Sequence, residues 1–161
     1  MKVAVVMGSK SDLSKIEPAI MILKEYGVDV AVRCLSAHRA HKGLQEFIEE
    51  CNDNKTEVII AAAGMAAALP GVVASMTILP VIGVPLTSAA LDGLDALLSI
   101  VQMPSGIPVA TVAINGTKNA AYLALQIMAI KNQELKVKLL NYRMEMEKEA
   151  MIANDEISSK Y

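Results

Sequence analysis

Four short segments hold most of the side chains that could bind or transform a ligand. Ser36-Ala37-His38-Arg39 is the richest. Arg39 offers a planar fork of donors that suits phosphate, and Ser36 offers a hydroxyl. His38 is of the residue type whose ordinary pKa, about 6.5, suits proton transfer near neutrality. A His-Arg pair at a helix start is equally compatible with a solvated surface. His41 lies three residues on, where it would share a helical face with His38. A metal would need a third ligand, and the nearby sequence supplies no obvious acid or cysteine, so no metal is expected. Gly8-Ser9-Lys10-Ser11-Asp12 places a glycine turn before a helix N-terminus, where backbone N–H groups can meet an anion or a sugar. The competing reading is that Ser11 or Asp12 simply caps the helix. The segment is neither a Walker motif nor GxGxxG, so no triphosphate or dinucleotide is expected. Ala61 to Gly71, AAAGMAAALPG, fits close packing or a pocket whose main chain approaches a ligand.

These segments follow strands. Val3–Met7 is a continuous apolar run, and Ser11–Tyr26 carries Leu13, Ile16, Ile20 and Leu23 at helical spacing, ended by Gly27 as a C′ glycine. Val28–Leu35, Val58–Ala62, Val81–Val84 and Val109–Ala113 read as further strands. Lys42–Cys51, about Ala66 to Met76, Leu91–Val101, Asn119–Ile130 and Gln133–Met151 read as helices. Alternating strands and helices imply a parallel sheet covered on both faces. The expected fold is α/β: a three-layer, doubly wound, five-stranded parallel sheet of flavodoxin-like order 2-1-3-4-5, with an extra C-terminal helix. Ligands in such sheets bind beyond the carboxyl ends of the strands, where Gly8–Asp12, Ser36–Arg39, Ala63-Gly64-Met65 and Pro85-Leu86-Thr87-Ser88 all fall. In the last helix, Leu135, Leu139, Tyr142, Met146 and Ala150 form a stripe that could dock on its own domain or on a neighbouring subunit.

At 161 residues the chain is expected to be one domain, residues 1–161, with 132–161 its terminal helix and tail. Its charge is unevenly spread. Residues 1–55 carry 16 charges, residues 56–117 only three (Glu57, Asp92, Asp95), and residues 118–161 carry 13. No charged side chain occurs from Val58 to Leu91, but Gly64, Pro70, Gly71, Pro80, Gly83 and Pro85 break that stretch too often for a membrane helix. A core buried within and between subunits is the better reading. A net charge of −2 and five aromatic residues exclude a nucleic-acid binder's electrostatic footprint and stacking platform. Two cysteines, Cys34 and Cys51, are too few for a disulfide framework, and the N-terminal apolar run is too short for a signal peptide. A cytoplasmic protein is expected. Asp92 and Asp95 are expected to cap or tether their loop and helix.

Taken together, MGSKSD at 7–12, SAHR at 36–39, LPGVVAS at 69–75, PVIGVP at 80–85, LDGLDALLSIVQMPSGIPVATVAI at 91–114 and NAAYLALQIMA at 119–129 resemble one family closely. It is the phosphoribosylaminoimidazole carboxylase catalytic subunit family, the N5-carboxyaminoimidazole ribonucleotide mutases of purine synthesis. The resemblance implies a homo-octamer of flavodoxin-like subunits whose C-terminal helix packs on a neighbouring subunit. It also implies a cofactor-free reaction in which a carboxylate moves from N5 of the aminoimidazole ribonucleotide to C4 through release and recapture of CO2. By matching motif, His38 is the acid/base that handles the C4 proton. Ser9 and Asp12 hold the ribose-phosphate end, Ser36 and Arg39 the phosphate, and backbone around Ala63, Gly64 and Leu69 lines the carboxylate or CO2 site.

Two segments depart from the family pattern. Most of its mutases read SAHRTPD where this chain has SAHRAHK, and a histidine where this chain has Ala68. The related animal-type carboxylases, which use free CO2, also lack that histidine, although their surrounding motif differs. Two further readings therefore stand beside the mutase: direct CO2-dependent carboxylation of aminoimidazole ribonucleotide, and a non-catalytic nucleotide-binding homologue.

Overall fold

The computed structural model describes all residues, 1–161. Five strands form one parallel sheet in the order β2-β1-β3-β4-β5. They are β1 (Lys2–Met7), β2 (Asp29–Cys34), β3 (Val58–Gly64), β4 (Val81–Leu86) and β5 (Ala110–Thr111). The expected doubly wound α/β sheet is observed. Its register pairs Val3 of β1 with Val30 of β2 and Val58 of β3, and Gly64 of β3 with Leu86 of β4. Six α-helices cover the two faces: α1 (Leu13–Glu25), α2 (His41–Asp53), α3 (Leu69–Ser75), α4 (Leu94–Val101), α5 (Thr117–Ala129) and α6 (Gln133–Ser158).

Side-chain alternation along each strand explains why both faces must be covered. In β1, Val3, Val5 and Met7 pack with Ile16 and Leu23 of α1, Leu125 of α5, and Leu135 and Leu139 of α6. Ala4 and Val6 point the other way, into Leu44 and Ile48 of α2, Val73 of α3 and Ile100 of α4. Ile16, Leu23, Leu44 and Ile48 are fully buried, and each burial contributes about 1.5–3 kcal/mol.

Element ends are where the sequence reading is corrected. Helix α1 ends as expected: Gly27 has φ +77°, and its N–H bonds to Lys24 while that of Val28 bonds to Leu23, a Schellman closure. At the other end α1 has no side-chain cap, from Ser11 or from Asp12. A 3₁₀ turn over Lys10–Asp12 precedes α1, and Ser9 caps that turn. Helix α3 starts at Leu69 rather than Ala66, because Met65 turns into the left-handed region at φ +56° and Pro70 suits only a first helical turn. Helix α4 starts at Leu94 rather than Leu91, since Asp92 (φ +49°) and Gly93 (φ +90°) are left-handed. Strand β5 keeps only two residues of Val109–Ala113 in the ladder, at the sheet's edge.

Helix α6 outruns its stripe. Asn132 caps it by accepting from Leu135 N–H at 2.9 Å. Leu135 and Leu139 are buried against the subunit's own core, and the Tyr142 ring stacks on Tyr122 with centroids 4.9 Å apart. Every residue from Leu140 onward is exposed, Met146 and Ala150 included. No helix is long and apolar enough to cross a membrane.

Candidate active site

The carboxyl ends of β1 to β4 open into one cavity of about 620 Å³. Its walls come from four separate parts of the chain: Gly8–Asp12 with Lys15, Ser36–Arg39, Ala63–Leu69, and Thr87-Ser88. Ser9, Asp12, Ser36, His38, Arg39, Ala63, Gly64 and Leu69, the eight residues singled out from the sequence, all line it. His41 does not; it is the first residue of α2, whereas His38 lies in the turn before that helix, so the two share no helical face. No cluster of three or more His, Cys, Asp or Glu side chains is placed to hold a metal.

The β1 exit is held by a reciprocal cap. Ser9 N–H donates to Asp12 Oδ2 at 2.9 Å, and Ser9 Oγ accepts from Ser11 N–H and from the Ser11 hydroxyl. Burial pushes the Asp12 carboxyl above its usual range, and the Ser9 N–H and the Lys15 charge pull partly against this. The β2 exit is a tight turn in which Arg39 and Ala40 N–H both donate to Ser36 O, at 3.2 and 2.8 Å. That turn projects His38 and Arg39 outward, and both are exposed. His38 makes no side-chain hydrogen bond within the protein, which leaves both ring nitrogens available to a ligand.

The β3 exit supplies main chain rather than side chains. Met65 holds a left-handed conformation that costs a non-glycine residue about 1–2 kcal/mol, strain of the kind found at ligand sites. The N–H groups of Met65, Ala66 and Ala68 have no acceptor within the protein, although all three residues line the cavity. Ala68 itself precedes α3 and presents only a methyl group.

Lys15 was not singled out from the sequence. It stands three residues after Asp12, one helical turn on, and that spacing was the available signal. Its Nζ donates to Thr87 O at 2.7 Å and to Thr87 Oγ1 at 3.2 Å, tying α1 to the β4 exit. Asp95 accepts from the Ser88 hydroxyl at 3.3 Å and so tethers the same wall to α4.

Residues 2–149 match the family model described as AIR carboxylase. A curated relative from Pyrococcus abyssi, named N5-carboxyaminoimidazole ribonucleotide mutase, is 54% identical over 147 residues, covering 91% of this chain and 84% of its own. One of the same name from Methanocaldococcus jannaschii is 50% identical over 159 residues, 99% of each chain. Among solved structures, PurE from Treponema denticola superposes with a TM-score of 0.85 at 32% identity, covering 96% of both chains.

Proposed function

Because the chain belongs to the AIR carboxylase family, we propose that it converts N5-carboxyaminoimidazole ribonucleotide to 4-carboxy-5-aminoimidazole ribonucleotide in purine synthesis. The observation that carries this reading is the single cavity gathering one histidine, a phosphate-suited arginine and an Ala/Gly wall with free N–H groups.

The reaction is an isomerisation, and its atoms balance within the site. The N5–carboxylate bond breaks, its electron pair stays on N5, and N5 takes a proton as CO2 forms. C4 then attacks CO2, a C–C bond forms, and C4 gives up its hydrogen as a proton. One carrier able both to give and to take a proton closes the cycle, and His38 is that carrier. Arg39 and Ser36 hold the phosphate, and Ser9 and Asp12 hold the ribose end. Backbone at Ala63, Gly64 and Leu69 lines the place where CO2 is held between the two steps. A small uncharged intermediate is retained better by a close-fitting, water-poor wall than by a strong charge.

The active assembly is a homo-octamer in which the exposed part of α6 lies on a neighbouring subunit, in a cytoplasmic enzyme. Exposed Met144, Met151, Ile152 and Ile157 on that helix support such packing. The direct use of CO2 is favoured by one observation, the methyl of Ala68 where an imidazole would add a polar group. Purified protein decides between them when given each substrate without ATP. Conversion of the N5-carboxylated nucleotide alone supports the mutase, and conversion of aminoimidazole ribonucleotide at moderate bicarbonate supports the carboxylase. Nucleotide binding with neither turnover would identify a non-catalytic homologue.

A further inference from the structure

We propose that Lys15 is a second ligand-facing cation of this site, and that its ammonium binds the carboxylate of the carboxylated nucleotide beside Gly64. The inference rests on the mutase reading and names a residue that the reading does not use.

The ammonium is held where it is by a network spanning three elements. Its two acceptors both belong to Thr87, at 2.7 and 3.2 Å. Thr87 is fixed in turn by Asn115, whose Oδ1 accepts from Thr87 N–H at 3.1 Å and whose Nδ2 donates to Thr87 Oγ1 at 3.2 Å. Asn115 N–H donates to Pro85 O at 2.8 Å, closing the network onto β4. An ammonium has three donors, and two of Lys15's go to neutral oxygens. No carboxylate lies within ion-pair distance of its Nζ. A half-buried cation that lines a cavity and keeps a donor unused, with the Asp12 carboxylate acting on it only from beyond contact distance, is suited to bind an anion.

Its position selects which anion. Arg39 follows β2 and Thr87 follows β4, and the sheet order β2-β1-β3-β4 puts three strand intervals, about 14 Å, between those ends. The nucleotide carries negative charge at both of its ends, phosphate at one and carboxylate at the other. With Arg39 on the phosphate, Lys15 faces the opposite end. Thr87 O, which accepts from Nζ, lies only 3.8 Å from where a Cβ on Gly64 would stand. The ammonium is therefore one carbonyl group away from Gly64, the residue that precedes the free N–H groups of Met65 and Ala66.

A cation on the carboxylate favours both carboxylated nucleotides and loses its partner when CO2 forms. It stabilises the bound substrate more than the transition state, so its removal raises KM and leaves kcat undiminished. The test compares wild type, Lys15→Met and Lys15→Arg by calorimetry with two nucleotides, aminoimidazole ribonucleotide and its 4-carboxylated form. Lys15→Met is expected to weaken binding of the carboxylated nucleotide about tenfold, leave the uncarboxylated one unchanged, and raise KM without lowering kcat. Lys15→Arg is expected to retain most of the affinity, with thermal melting confirming that both variants fold. Equal weakening of both nucleotides would make Lys15 a structural strut, and undiminished binding of the carboxylated one would remove it from the site. Either result overturns the proposal. Failure of the wild type to turn over substrate would overturn the mutase reading instead, and the two-nucleotide comparison would still decide the role of Lys15.

Discussion

Replacing Gly64 by alanine tests whether the β3 exit must be bare main chain. Gly64 does not occupy the left-handed region, so alanine meets no conformational barrier there, and the effect is steric. The added Cβ would stand 3.2 Å from Leu86 O and 3.8 Å from Thr87 O. The second distance is an ordinary contact, but the first obliges the β4 main chain to withdraw by a few tenths of an ångström. Such a small overpacking costs about 1 kcal/mol, the low end for inserted methyl groups, and lowers Tm by roughly 2–4 °C. The consequence for activity is larger than for stability. The displaced segment carries Thr87, the anchor of Lys15, and the methyl group lies beside the wall proposed to receive the carboxylate. Misplacement by 1 Å costs on the order of a hundredfold, so a shift of a few tenths is expected to lower kcat/KM about tenfold. Steady-state conversion of the N5-carboxylated nucleotide, with Tm recorded in parallel, measures both quantities. Gly43→Ala is the control, because its Cβ would make only a 3.4 Å contact with Leu35, in α2 and outside the cavity wall. A Gly64→Ala enzyme with wild-type kcat/KM would refute the assignment of the carboxylate to this wall.

Three other substitutions probe the rest of the site. His38→Asn is expected to cut turnover by 10²- to 10⁴-fold while leaving Tm and nucleotide affinity nearly unchanged, since the imidazole has no protein partner to lose; retained turnover would remove His38 from the proton-transfer role. Because burial raises the Asp12 pKa above 3.8, its ionised form is penalised in the folded state, so stability declines as pH rises through the window above 3.8 and stays lowered beyond it. Asp12→Asn should therefore melt at an equal or higher temperature than wild type at pH 7, lose that advantage below about pH 3.8, and bind nucleotide more weakly; a destabilised variant at pH 7 would contradict the burial argument. Asp92→Asn is expected to keep its activity, as Asp92 is exposed and lies outside the cavity wall, and an inactive but folded and assembled variant would speak against this.

How far the sequence could be read depended on the distance over which each feature is determined. Val3–Met7 and Val58–Ala62 are apolar because both faces of a parallel strand are covered, a local signal that survives without any contact map. Gly27 is legible for a similar reason, since a left-handed residue after a helix is most often glycine. Met65 shows the converse. Its left-handed conformation sits in a run of alanines, whose propensity favours helix, and nothing in a methionine announces a turn. The cap at Ser9 was hidden because the intervening 3₁₀ turn moves the first helical residue to Leu13. The bond between Lys15 and Thr87 joins residues 72 positions apart, and only the sheet order brings them together. The length of α6 follows from the lack of any glycine or proline after Gln133, with support from pairs such as Glu134–Lys138 at 3.0 Å, rather than from its apolar stripe.

The uncharged stretch from Val58 to Leu91 acquires a chemical meaning from this placement. It contains β3, α3 and β4, and both strands are buried along nearly their whole length. A charge placed there would lose its hydration with no partner to replace it. The carboxyl ends of the same strands are the floor of the cavity, so the polar groups they offer are uncharged: main chain at Met65, Ala66 and Ala68, and the hydroxyls of Thr87 and Ser88. Charges needed by an anionic nucleotide have to be brought in from outside the stretch. Asp12, Lys15 and Arg39 all lie in the first, charge-rich third of the chain, on loops and a helix that flank β1 and β2. The division of labour in the proposed reaction follows from that geography: cations on flanking elements bind the two anionic ends, and the apolar middle provides the small, uncharged space in which a carboxylate can leave as CO2 and be recaptured.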